Sequence, residues 1–332
     1  MPEGVTLGLL IVLGLSVAFD YINGFHDTAN AIATSVSTRA LKPAHAIALS
    51  AGANFLGALT GTAVAKTIGA GLVETETMGV VAAALVGAIT WNLITWRLGI
   101  PSSSSHALIG GLLGASAAAA GFASWNVEGI INKVIIPLFT SPLIGFLLGV
   151  TAMVLLLNVF RRANPHALNS RFRRLQIVSA SLMAFSHGSN DAQKTMGIMT
   201  LALVTAGLID EFVVPIWVIL LAATAMSLGT AAGGWRIIKT MGTKVVKLDP
   251  VHGFAAETTA ATVILGASSL GVPVSTTHII SSAIMGVGSA DRVKAVRWQV
   301  ARGIGVAWVL TIPASGLVAA GSYFVVRLVV PG

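Results

Sequence analysis

The residues best suited to chemistry come in two matching sets. The segment LGIPSSSSHALIGGLLG (98–114) aligns with LGVPVSTTHIISSAIMG (270–286) at an offset of 172. Ser103, Ser104 and Ser105 then match Ser275, Thr276 and Thr277, and His106 matches His278. A second pair, NGFHDTAN (23–30) and HGSNDAQK (187–194), shares Gly24 with Gly188 and Asp27 with Asp191 at an offset of 164. Each hydroxyl cluster follows a proline and begins an apolar run. A helix start there exposes unpaired N–H groups and about half a positive charge. Hydroxyls and N–H groups from two such starts could replace the hydration shell of a small oxyanion. His106 and His278 could donate to that anion or carry protons; they could equally pack and cap the turn.

The two aspartates suggest the complementary chemistry. Asp27 and Asp191, with the side-chain oxygens of Asn23, Asn30 and Asn190, form a natural site for a coupling ion, Na+ or H+. Glu257, inside another apolar run, is a third acid of this kind, although its place in the first half is Leu85. Arg97 and Lys194 are cations without a basic counterpart in the other half, and Gln193 is a flexible amide; all three are candidates for the anion. His45, His166 and His252 fall at loop edges, and His187 lies inside the second motif. No cysteine and no HExxH pattern is present, so a metal site of the protein's own is not expected. GGWRIIKTMGTK has the wrong spacing for a nucleotide-binding loop, and no cofactor is expected.

Such residues must be positioned within lipid. The chain has 332 residues, of which 55% are hydrophobic and 10% charged, with mean hydropathy +0.86. So little charge cannot cover a soluble surface, and the bilayer is the expected surrounding. The net charge of +8 comes from short basic clusters between apolar runs, which fits positive-inside topology better than nucleic acid. Apolar stretches fall at 5–38, 43–66, 78–98, 104–121, 129–160, 175–209, 213–235, 251–270, 274–288 and 303–330. The N-terminal stretch reads as a retained helix and not a signal peptide. The first and sixth stretches exceed a simple crossing, and each contains a polar, glycine-bearing cluster that predicts a break at Asp27 and Asp191. The short stretches after Pro101 and Pro273 predict re-entrant hairpins at 78–121 and 251–288.

The expected fold is an all-α membrane protein of two inverted repeats, with broken helices and two re-entrant helical hairpins. The repeats cover 1–160 and 175–332, joined by a basic cytoplasmic linker at 161–174. Arg161, Arg162, Arg171, Arg173 and Arg174 put that linker inside; Glu74, Glu76, Asp210, Glu211 and both termini then fall outside.

The paired motifs, GFHD and GSND with PSSSSH and PVSTTH, resemble the inorganic phosphate transporter (PiT) family over nearly the whole chain. The form GFHDTANAIAT is most similar to its bacterial low-affinity Pit branch. The resemblance implies a symporter for inorganic phosphate, free or as metal-phosphate, in the cell inner membrane, and not an enzyme. It implies a glutamate in the second hairpin, which supports Glu257, and a homodimer and a PhoU-like cytosolic regulator as partners. In sodium-coupled members a glutamate follows the first motif on the next helix; Asn54 stands there, which leaves proton coupling open. A sulfate symporter on the same fold is the alternative. An intramembrane hydrolase would need one asymmetric Ser–His pair; here each Ser/His cluster is duplicated and no GxSxG turn is present. An ion channel fits the composition too; steep dependence of flux on a driving-ion gradient would argue against it.

Overall fold

Lipid offers no hydrogen bonds, so an apolar chain must pair its backbone within its own segments, which helices do. The computed structural model describes residues 3–69 and 77–330, and among these residues no strand occurs. The helices are α1 (Glu3–Ser37), α2 (Pro43–Ala58), α3 (Ala63–Gly69), α4 (Met78–Leu98), α5 (Ser104–Ala120), α6 (Val127–Ile130), α7 (Ile136–Val159), α8 (Pro165–Thr205), α9 (Ile216–Ala232), α10 (Trp235–Lys239), α11 (Pro250–Ser269), α12 (Thr276–Asp291) and α13 (Trp298–Val326). A π-helical segment, Ile131–Ile135, joins α6 to α7, and another, Thr240–Lys244, extends α10.

Among the described residues four helices are long and apolar enough to cross a membrane: Leu7–Ser37, Met78–Leu98, Val127–Val159 and Trp298–Val326. Helix α9 and Trp235–Lys244 together are also long and apolar enough, as a broken span or a re-entrant loop, with a bend of 60° between them. Exposed leucines along α7, such as Leu143, Leu147 and Leu155, give that helix a face suited to lipid. By contrast α8 is 41 residues long and buries a polar centre.

The breaks do not fall where the polar clusters suggested. Helix α1 runs unbroken through Asn23–Asn30, and α8 through His187–Lys194. The glycines in those clusters serve close packing. A Cβ on Gly24 would strike the Met226 carbonyl of α9, and one on Gly188 the Asn54 carbonyl of α2. Reciprocally, Gly229 faces the Tyr21 backbone and Gly57 that of Phe185. Backbones approach closely where small residues meet in a helix crossing. The actual interruptions lie at Leu59–Thr62, between α2 and α3, and at Gly233–Gly234, between α9 and α10, with Gly233 at φ 74°.

Most of the expected linker is also helical. Asn164 Oδ1 accepts from His166 N at 2.9 Å, and Pro165 occupies the first helical position, so α8 starts there and carries Arg171, Arg173 and Arg174. Asp210 and Glu211 lie in the turn between α8 and α9, while Glu74 and Glu76 lie outside the described residues.

At both expected hairpins the two helices pair, although Met78–Leu98 is itself long enough to cross a membrane. Helices α4 and α5 pack together, as do α11 and α12. Each first leg ends at a glycine in the left-handed region, Gly99 at φ 69° and Gly271 at φ 68°. Both turns close alike: Ile100 N donates to Thr95 O at 2.9 Å, and Val272 N to Ala267 O at 2.9 Å. Their second legs pack across the halves, α5 on α13 and α12 on α7, just as α1 packs on α9 and α8 on α2.

Candidate functional site

Each hairpin starts its second leg with the same cap. Ser103 Oγ accepts from His106 N at 3.2 Å, and Ser275 Oγ accepts from His278 N at 3.2 Å. The two turns meet. The His106 and His278 rings lie 4.8 Å apart, and His278 stacks on Trp308 at 4.1 Å. Trp308 Nε1 donates to Pro101 O at 3.2 Å, tying α13 to the first turn. Nδ1 of His106 and both ring nitrogens of His278 are buried without a partner among the described residues. Buried polar atoms normally find one, so this site has unused hydrogen-bonding capacity.

The acids stand against these turns in matched fashion. Ser104 Oγ donates to Asp27 Oδ2 at 3.3 Å, and Thr276 Oγ1 donates to Asp191 Oδ2 at 3.1 Å. Asn30 Nδ2 donates to Thr277 Oγ1 at 2.9 Å, which links α1 to the second hairpin. Lys194 joins everything: its Nζ donates to Asp191 Oδ1, to Ser105 Oγ of one hairpin and, at 3.1 Å, to Val274 O of the other. An ammonium has three protons, and all three are engaged.

Two histidines complete the centre. His26 Nδ1 lies 2.6 Å from Asp27 Oδ1, and its Nε2 is 3.0 Å from Thr95 Oγ1 on the first hairpin. His187 sits between the acids, with Nε2 3.1 Å from Asp191 Oδ2 and 3.8 Å from Asp27 Oδ2. Asn54 orients this ring. Its Nδ2 donates to Thr230 Oγ1 at 2.8 Å, so its Oδ1, 3.1 Å from His187 Nδ1, accepts the proton there. The other nitrogen is thus turned toward the two carboxylates. Asp27, His187 and Asp191 each present one ligand atom, all within 4.8 Å of one another. This buried set could hold a cation, although no metal-ligand motif marks it in the chain.

Several expected residues lie elsewhere. Arg97 is exposed at the end of α4, where its carbonyl accepts from Arg236 Nη1 at 2.6 Å. The Gly99 turn follows it immediately, and its side chain is not among those gathered around Lys194. Gln193 is committed to backbone: Oε1 accepts from Val64 N at 2.8 Å and Nε2 donates to Ser189 O at 2.7 Å. It lines a cavity of about 300 Å³ with Thr60, Gly61, Ser268 and Ser269. Asn190 Nδ2 donates to Ser268 Oγ at 2.8 Å, at the end of α11. Asn23 lies one helical turn before Asp27, and its Oδ1 has no partner among the described residues. Glu257 forms a separate buried cluster. It accepts from Thr34, from Ser179 at 2.5 Å and from Gln176 at 3.1 Å, and Thr38 donates to Gln176 at 2.7 Å.

His26, His187, Asn54, Thr95 and Ser102 were not picked out for the site from the chain alone. Each lacks a chemical counterpart at the repeat offset, and repetition was the guiding signal. His26 and His187 did carry a local signal, because each sits within four residues of a motif aspartate on one helix.

A helical, multi-pass membrane protein with a buried polar centre built from both halves of its chain belongs among the membrane transporters. Comparison with known proteins is specific. Residues 23–319 match the family described as "Phosphate transporter family". The chain is 52% identical over 328 residues to a "Probable low-affinity inorganic phosphate transporter" of Bacillus subtilis (strain 168), covering 97% of this chain and 98% of that one. It is 50% identical to a protein of the same description from Rhizobium meliloti (strain 1021), covering 98% and 99%. The solved structure described as "The sodium-dependent phosphate transporter" superposes with a TM-score of 0.83 at 25% identity, covering 97% of this chain and 99% of that one. The chain belongs to the phosphate transporter family.

Proposed function

We propose that this protein is a secondary active symporter that carries inorganic phosphate across the cell inner membrane, driven by H+ or Na+. The observation that carries this reading is the shared use of Asp27 Oδ2 and Asp191 Oδ2. Ser104 and Thr276 donate to these two oxygens, and the same oxygens face His187 Nε2. A hydroxyl has one proton to give. While the carboxylates hold Ser104 and Thr276, those protons cannot serve an anion. A cation among Asp27, His187 and Asp191 takes over the carboxylate oxygens and releases both hydroxyls toward the substrate. Each ligand then improves the site for the other, and that reciprocity is what symport requires.

The remaining donors suit a tetrahedral oxyanion. The unpartnered nitrogens of His106 and His278 and the starts of α5 and α12 supply donors, and Lys194, whose protons are already engaged, adds positive charge beside them. Phosphate travels free or with a divalent metal as part of the cargo; the Asp27–His187–Asp191 set is suited to meet that metal. The two halves, 1–160 and 175–332, act as inverted repeats that rock against each other around the turns. The basic residues of 161–174 offer a contact for a PhoU-like regulator, and a homodimer is the expected assembly.

The test is uptake of labelled phosphate into proteoliposomes with H+ and Na+ gradients imposed separately. Gradient-driven accumulation supports the reading. Flux that merely equilibrates would indicate a channel, and sulfate uptake matching that of phosphate would favour the sulfate symporter.

A further inference from the structure

Helix α1 carries a file of buried polar side chains, Ser16, Asp20, Asn23, Asp27, Asn30 and Thr34, which Thr38 continues just past its end. Their spacing of three or four residues keeps them on one face. From Ser16 to Thr34 the file extends about 27 Å at 1.5 Å per residue, close to the thickness of the hydrocarbon core. Buried acids lie along it. Asp27 is on the file, Asp191 faces it from α8, and Glu257 meets it through Thr34.

Four carboxyl side chains are buried among the described residues, and three are fully provided for. Asp27 has His26 on one oxygen and Ser104 on the other. Asp191 has Lys194 and Thr276. Glu257 has Thr34 and Gln176 on one oxygen and Ser179 on the other. Asp20 is different. Thr195 Oγ1 donates to its Oδ1 at 2.6 Å, but its Oδ2 has no partner. Ser16 Oγ, one turn before it, and Asn23 Oδ1, one turn after, are also unpartnered.

A buried carboxylate with an unfilled oxygen must be neutralised by a proton or a cation. A proton accounts for two of the three orphans at once. Placed on Asp20 Oδ2, it makes that atom a donor, and Asn23 Oδ1 is an acceptor on the same face. The charged groups that act on Asp20 are Asp191, Lys194 and His187, all on α8. Of the other helices against α1, α9 has no titratable side chain, α2 only His45 at its start and α4 only Arg97 at its end. Helix α10 with its Thr240–Lys244 extension, α11 and α12 meet α1 and carry Arg236, Lys239, Lys244, His252, Glu257, His278 and Asp291.

We propose that Asp20 is the proton-binding carboxyl of the transport cycle. It takes H+ from water on the side where phosphate is loaded and returns H+ to water where phosphate leaves. Only its O–H bond forms and breaks. Asp20 lies two turns before Asp27, beside the Lys194 region through Thr195, so its charge is sensed at the centre without touching the anion. This assignment rests on the symport reading above and names the driving ion.

The test compares the full-length protein with Asp20→Asn and Asp20→Glu in proteoliposomes. Phosphate exchange at equal concentrations on both sides is measured first, then accumulation under an inward-directed gradient of one pH unit. One coupled proton makes such a gradient worth about tenfold in accumulation. Asp20→Asn should keep exchange within about twofold of the parent and lose the tenfold accumulation, whereas Asp20→Glu should retain it. Full accumulation by Asp20→Asn overturns the proposal. Wild-type accumulation driven by Na+ alone overturns it too but leaves phosphate symport standing, while no phosphate movement in wild type sinks both. If Asp20→Asn fails to fold, the wild-type protein is treated with a hydrophobic carbodiimide, which attacks protonated carboxyls. An adduct on Asp20 that disappears at alkaline pH supports the assignment, and its absence throughout overturns it.

Discussion

Removing the Asp191 charge tests the centre most directly. The Lys194 and Asp191 side chains are 3% and 1% exposed and ion-paired three residues apart on α8. In Asp191→Asn the ammonium stays buried and loses its counter-charge. Removing one partner of a buried pair costs about 3–5 kcal/mol, a factor of roughly 10² to 10⁴ in the folding equilibrium. The double variant Asp191→Asn/Lys194→Met leaves no stranded charge, so it should recover most of that loss. Unfolding in detergent, followed for both single variants and the double, gives the coupling energy as a double-mutant cycle. Uptake separates stability from function: the double variant should fold and yet carry no phosphate, because the tie from Lys194 to Ser105 and Val274 is gone. A cost below about 1 kcal/mol for Asp191→Asn, or a double variant no more stable than the worse single one, would refute the buried ion pair.

Other expectations concern packing, orientation and the remaining acid. Gly188→Ala should cost about 1–3 kcal/mol by forcing Asn54 away, while Gly303→Ala, which meets open space, should be neutral or stabilising by the same unfolding measurement. Asn54→Leu frees His187 to turn, so uptake should fall at least about tenfold, as loss of an orienting partner usually does. Unchanged uptake would remove Asn54 from the centre. Glu257→Gln replaces an acceptor oxygen by a donor among Thr34, Gln176 and Ser179, and should destabilise by about 1–3 kcal/mol. Ser104→Ala and Thr276→Val should each weaken phosphate uptake in competition with unlabelled phosphate, and their effects should be similar because the two hydroxyls occupy matched places.

Repetition made the hairpins and the acid pair legible in the chain, because two copies of Pro–hydroxyl–His and of Gly–x–x–Asp are hard to obtain by chance. The same signal hid what is not repeated. His187 faces both aspartates, yet its counterpart in the first half is Asn23, and Asn54, noticed only for its place on the next helix, gains its orienting role once His187 is seen beside it. Gly24 and Gly188 look like breaks in a single chain; only the neighbouring backbones reveal them as contacts. Arg97 looked like a buried cation, since no count of residues tells which way the last turn of α4 faces. Gln193 looked free to bind an anion, but the start of α3 takes its oxygen. Asp20 carried no motif at all, and its interest lies in an atom left without a donor.

The crossed seating of α1 on α9 and of α8 on α2 has a consequence for biosynthesis. A ribosome that has completed the first 160 residues has released no self-sufficient unit, because the groove for α1 is still unmade. Until α8, α9 and the second hairpin arrive, a helix bearing Asp20, Asn23, Asp27 and Asn30 waits in the bilayer without Thr195, His187 and Thr277, the partners of its polar face. Fragments divided near Ala163 should therefore accumulate only when both are synthesised in the same cell.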